Sequence, residues 1–78
     1  MVPWRMDKSA LIDQLQQLEE RISTGSVLIS RERKRVIDLQ RKGDDTAESM
    51  QLIIYLDEIL MLQHIEKMKL QKEIAELS

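Results

Sequence analysis

The 78-residue chain has no cysteine and no phenylalanine, and only one histidine, one proline, one tryptophan and one tyrosine. Without cysteine, disulfides and thiolate metal sites are excluded. The lone His64 also argues against a structural zinc site built from a single chain. Because a domain this short buries little surface, we expect its stability to depend on a second copy or another partner.

Long apolar runs are also missing. The two longest, 52–56 and 59–62, are far shorter than the roughly 20 residues that a membrane-spanning helix needs. The N-terminus lacks the basic-then-apolar order of a signal peptide, so we expect a cytoplasmic protein with no membrane contact. The net charge of −2 argues against a general affinity for nucleic acid or anionic lipid.

Leucine, isoleucine and methionine supply most of the apolar bulk, a composition typical of helices. In the first half of the chain, apolar residues recur at alternating steps of four and three, which places them on one helical stripe. These residues are Leu11, Leu15, Leu18, Ile22, Ile29, Val36 and Leu39. The count passes through Gly25 and Glu32, so we predict one helix over 7–42 after a flexible tail, 1–6. The alternative is a kink at Gly25, because the hydroxyl groups within 23–26 compete for backbone hydrogen bonds.

A turn is predicted at 43–44, where Gly43 suits the left-handed residue that ends a helix. A second helix is predicted over about 45–77, capped either by Asp45 with Glu48 in a capping box or by Thr46. The fold class is therefore an all-α antiparallel hairpin within a single domain, 7–78.

The order of charges supports the antiparallel arrangement. A turn near Gly43 places residues whose numbers add to about 87 at the same level. The basic stretch 31–35 then faces the acidic stretch 48–58, which contains no basic residue. At the other end, three acidic residues face three lysines: Asp13, Glu19 and Glu20 against Lys67, Lys69 and Lys72. Such pairs specify orientation more than stability.

Apolar residues cover more than half of the second helix's circumference, which one neighbouring helix cannot shield. The simplest solution is a homodimer in which two hairpins form a four-helix bundle, with another protein's helix as the alternative occupant. The predicted interface residues are Met50, Ile53, Ile54, Leu56, Leu60, Met61, Ile65 and Met68. The corresponding function is a non-enzymatic protein–protein interaction or regulatory module.

Three polar residues, Glu32, Asp57 and His64, are candidates for a polar layer between the helices. Carboxylate-bridged metal sites in bundles carry a Glu-x-x-His pair, and Met61 stands where that glutamate is required. We therefore predict a register-fixing layer with Arg31 or Arg33, and neither a metal site nor a cofactor. No glycine-rich phosphate loop or serine elbow is present, so we predict no enzymatic activity.

A basic stretch provides the alternative function, a small regulator that binds nucleic acid. Its residues are Arg31, Arg33, Lys34, Arg35, Arg41 and Lys42. Their position near a helix C-terminus and beside acidic neighbours accounts for them more simply. No aromatic residue nearby offers a surface for base stacking, so nucleic acid is the less favoured partner.

The segment Ile29-x-Arg31-x-Arg33-x-x-Val36-x-x-Leu39-x-Arg41-x-Gly43-x-Asp45-Thr46-x-Glu48 resembles a group of small uncharacterised proteins of rhizobia and related α-proteobacteria. The resemblance extends more loosely over 52–70 and implies a bacterial helical hairpin with a glycine-aspartate-threonine turn. Those proteins tend to have histidine directly after a leucine in the second helix, where this chain has Gln63 followed by His64. The resemblance therefore implies no role for His64 and no activity.

Overall fold

The computed structural model describes residues 7–77, which form two helices, α1 (Lys8–Lys42) and α2 (Ala47–Glu76). The helices run antiparallel and pack along their length, which confirms the predicted all-α hairpin. Within 7–77, neither helix is long and apolar enough to cross a membrane. The predicted tail, 1–6, and the last residue of the predicted domain lie outside the described residues.

Both ends of α1 are formed by the residue types that the sequence favours there. The side chain of Asp7 accepts a hydrogen bond from the Ala10 N–H at 2.8 Å, which satisfies one of the unpaired donors of the first turn. At the other end Gly43 has φ 75°, and the Asp44 N–H donates to the Leu39 carbonyl at 2.9 Å. Gly43 therefore ends α1 in the left-handed conformation, as predicted.

The connection is longer than the predicted turn, because α2 begins at Ala47 rather than at 45. Thr46 is the N-cap residue, but its side chain makes no capping hydrogen bond. Instead, the carboxylate of Asp45 accepts the Ala47 N–H at 2.9 Å. Both predicted capping residues are therefore used. Thr46 occupies the N-cap position, and Asp45 accepts a hydrogen bond from a backbone N–H of the first turn.

The contact between the helices follows one stripe on each, which we call the seam. It repeats every four and three residues on both helices, and all its members are buried or half-buried. They are Leu11, Leu15, Leu18, Ile22, Gly25, Ile29, Glu32, Val36 and Leu39 on α1, and Ser49, Ile53, Leu56, Leu60, Gln63, Lys67, Leu70 and Ile74 on α2. The main buried cluster, Leu11, Leu18, Ile22 and Leu70, lies at the end of the hairpin away from Gly43.

Gly25 lies within the seam, and α1 continues through it as one helix rather than breaking. A Cβ built on Gly25 would lie 3.1 Å from Cδ2 of Leu60, so these two residues face each other. Residues at one level therefore have numbers that add to about 85, close to the predicted 87. The missing side chain leaves space that Leu60 partly fills.

We expect Gly25→Ala to stabilise the hairpin. Alanine is favoured over glycine in a helix interior by about 1 kcal/mol, and the only close contact is with the movable end of the half-buried Leu60 side chain. Urea unfolding followed by circular dichroism should show a higher midpoint. The matched control Gly43→Ala should lower it, because φ 75° is strained for alanine. A lower unfolding midpoint for both variants would contradict this account of Gly25.

Candidate interaction surface

Five exposed apolar side chains share one side of α2, and we call them the methionine face: Met50, Ile54, Met61, Ile65 and Met68. At about 100° per residue, they fall within an arc of roughly 60°. Four of them directly follow a seam residue, as Met61 follows Leu60. Measured between the centres of the two sets, the methionine face is therefore rotated by roughly 130°, more than a third of a turn, from the side of α2 that contacts α1.

Each residue of the methionine face keeps between 44% and 69% of its area accessible to solvent. Removing apolar surface from water is favourable by roughly 25 cal/mol per Å². Exposed apolar side chains grouped on one side of a helix are typical of an interaction site. Methionine also adapts its unbranched side chain to the partner surface.

The eight predicted interface residues separate into two groups. Ile53, Leu56 and Leu60 are half-buried in the seam of a single hairpin, where they face α1. The other five make up the methionine face. The sequence shows α2 to be apolar over most of its circumference, and the structure shows which part α1 covers.

A second apolar area lies on the opposite side of the seam, as an open groove of about 530 Å³ between the helices. Leu28, Ile59 and Leu60 line it beside Gly25, together with polar side chains that include Arg21 and Gln63. The groove is therefore mixed in character, and the side of α2 that carries the methionine face also carries Asp57 and His64.

The three polar candidates do not come together in one hairpin. Asp57 and His64 are exposed, and the Asp57 carboxylate lies 3.7 Å from the Arg33 guanidinium. Glu32 lies in the seam with its side chain 18% exposed, and its Oε1 is 3.9 Å from Arg35. Its other oxygen, Oε2, is buried without a hydrogen-bond partner. Among residues 7–77, no group of three His, Cys, Asp or Glu side chains is placed to hold a metal ion.

The contact between Arg33 and Asp57 also shows which side of α1 adjoins the methionine face. Asp57 stands between Ile54 and Met61 at helical spacing, and Arg33 reaches it from α1. Three small residues share the side of α1 that carries Arg33, because they precede it by three, seven and ten residues. We call them the serine face: Ser23, Ser26 and Ser30, all exposed. Sequence reasoning missed this face, although its members directly follow seam residues.

The six residues of the predicted basic face are all exposed. At about 100° per residue, five of them fall within an arc of roughly 120° on α1, and Arg33 lies apart from them. Arg33 and Arg35 flank the seam and contact Asp57 and Glu32, respectively. Arg31 and Lys34 line a shallow groove on α1 together with Val27 and the three residues of the serine face. Arg41 and Lys42 lie in the last turn of α1, where the helix dipole favours cations. The nucleic-acid interpretation of this stretch therefore stays a prediction.

The predicted pairing of opposite charges between the two helices is found at one level of the hairpin. Between the two helices of 7–77, Arg33 and Asp57 form an ion pair, whereas the three predicted acidic residues and three lysines at the other end form none. Exposed pairs of this kind contribute little to stability. The charged pairs therefore contribute little to the stability of the hairpin beyond what the seam contributes.

Comparison with known proteins adds no functional assignment: no family model matches the chain, and neither a curated protein nor a solved structure is significantly similar to it. The resemblance to small α-proteobacterial hairpin proteins stays a prediction from the sequence. The methionine face is thus the feature from which function is argued.

Proposed function

We propose that the protein is a non-enzymatic interaction module that works as a homodimer, in which two hairpins pack through their methionine faces into a four-helix bundle. The observation that carries the proposal is the position of this face, which lies more than a third of a turn from the seam and is therefore left uncovered by α1. In a four-helix bundle each helix contacts more than one neighbour. In the proposed bundle the seam side of α2 contacts α1, and the methionine face contacts the second copy.

A second copy fits this surface better than an unrelated helix because the surface complements itself in charge. Residues 44–58 contain five acidic and no basic side chains, whereas 59–72 contain three lysines, one histidine and one glutamate. Two copies of α2 therefore each offer the charge that the other lacks. Complementary charge favours the matching partner and its orientation over others.

Dimerisation leaves part of the hairpin available for another protein. The groove beside Gly25 and Leu28 lies on the side of the seam away from the methionine face. Tyr55 and Leu62 remain exposed near it in a single copy. An amphipathic helix of another protein is the ligand class that suits such a groove. The dimer thus supplies the scaffold for a regulatory or adaptor role.

Sedimentation equilibrium of the untagged chain over a range of micromolar concentrations tests the proposal. We expect a species of twice the 9.2 kDa chain mass at the upper concentrations. Unfolding midpoints should also rise with protein concentration, because association stabilises only the folded state. A folded species that remains at the single-chain mass throughout would refute the proposal.

A further inference from the structure

We infer that the second copy lies antiparallel to the first, with α2 on α2 and α1 on α1, about a two-fold axis level with Ile59 and Ser26. The inference rests on the proposed function and specifies the geometry of that dimer. It follows from three independent observations: the spacing of the methionine face, the position of the serine face, and the charges that flank them.

The spacing along α2 reads the same in both directions. Four residues of the methionine face, at 50, 54, 61 and 68, form one series with Asp57 and His64, and Ile65 lies outside it. Its members are separated by four, three, four, three and four residues, and the series is centred on Ile59. In an antiparallel pair centred there, Met50 of one copy lies beside Met68 of the other. Met61 lies beside Asp57, and Ile54 beside His64. A symmetric interface requires a self-complementary pattern of this kind.

The serine face on α1 is centred at the same level. Ser26 is its middle residue, and residues 26 and 59 lie opposite each other in the register that Gly25 and Leu60 define. One axis therefore passes through the middle of both faces. The small side chains of Ser23, Ser26 and Ser30 allow the two copies of α1 to approach closely. The methionines of the two α2 helices fill the rest of the space between the hairpins.

Charges on α1 distinguish the antiparallel arrangement from the parallel one. Glu19 and Arg33 directly follow seam residues and lie seven residues on either side of Ser26. Antiparallel packing places Glu19 of each copy against Arg33 of the other. Parallel packing would place Arg33 against Arg33 and Asp57 against Asp57, and opposed like charges are destabilising.

The remaining symmetric arrangement would stack α2 of one copy on α1 of the other. That packing places the methionine face on the serine face, so apolar side chains meet exposed hydroxyl groups. Burying a hydroxyl group without a hydrogen-bond partner costs free energy. The arrangement with α2 on α2 places the serines of the two copies against each other and keeps their hydroxyl groups away from the methionine face, which avoids this cost.

Because the chain has no cysteine, single cysteines report the geometry directly. Facing helices about 8–10 Å apart bring Cα atoms at the axis within disulfide range. Ser26→Cys is therefore expected to form a covalent dimer rapidly under mild oxidation. The matched variant Ser23→Cys should react far more slowly with itself, because its two copies are about 9 Å apart along the helices. Mixed Ser23→Cys and Ser30→Cys chains should cross-link to each other.

Sedimentation of the same reduced variants distinguishes a failure of the antiparallel geometry from a failure of the proposed dimer. Reduced dimers in which Ser26→Cys fails to cross-link, or in which all three serine positions self-link equally, would overturn the antiparallel geometry and leave the dimer intact. Reduced variants that are folded monomers, like the unmodified chain, would instead refute the proposed function. Rapid linkage at Ser26 alone, together with the mixed Ser23 and Ser30 product, would establish the arrangement.

Discussion

Replacing Met61 by glutamate is expected to weaken self-association about a hundredfold while leaving the hairpin folded. Met61 is one of the most exposed residues of the methionine face and lies close to its centre. Losing a buried methionine forfeits roughly 1.5–3 kcal/mol of apolar burial, and about 1.4 kcal/mol corresponds to a tenfold change in affinity. Sedimentation should show mostly monomer at concentrations where the unmodified chain is dimeric.

Leu28→Glu is the matched control for this variant. Leu28 is also an exposed apolar residue, but it lines the groove on the side of the seam away from both the methionine face and the serine face. We expect its dimer to be unaffected. Circular dichroism should report equal helix content for the two variants. Equal weakening by both substitutions would show that the methionine face is not the interface.

The second large effect is expected in the seam, where Leu18→Ala should destabilise the hairpin by about 2–5 kcal/mol. Leu18 keeps only 4% of its area accessible and belongs to the main buried cluster. Its removal leaves a cavity between the helices that neither backbone can close. Urea unfolding should show a much lower midpoint, or no folded baseline at all.

Leu28→Ala makes the same chemical change at a position that is 42% exposed, on the rim of the groove. We expect it to cost far less than Leu18→Ala, because little apolar area is lost and no enclosed cavity forms. A similar loss for both variants would contradict the assignment of Leu18 to the core. Both measurements should use one protein concentration, since association alters apparent stability.

The seam on α1 could be predicted in full because its spacing is regular. Alternating steps of four and three from Leu11 to Leu39 identify the buried side, and the count remains correct through Gly25 and Glu32. Gly43 could be placed as the end of α1 because a left-handed residue is nearly always glycine there. The start of α2 was less predictable, because Asp45 and Thr46 both carry groups that can satisfy a free N–H.

The division of α2 could not be predicted in the same way. Ile53 and Ile54 are chemically alike and adjacent, yet one is half-buried against α1 and the other is exposed. Only the packing of α1 distinguishes them. Asp57 illustrates the same problem: its predicted pairing with Arg33 between the helices is found, but because it follows Leu56 it lies exposed beside the seam rather than within it.

The location of the buried cluster has a consequence for the connection itself. Ile22, its nearest member on α1, is about 30 Å along the helix from Gly43 at about 1.5 Å per residue. The loop therefore acts as a tether that raises the local concentration of one helix around the other, and it contributes little packing of its own. Severing the chain there would leave two peptides that still recognise each other, with an affinity limited by dilution.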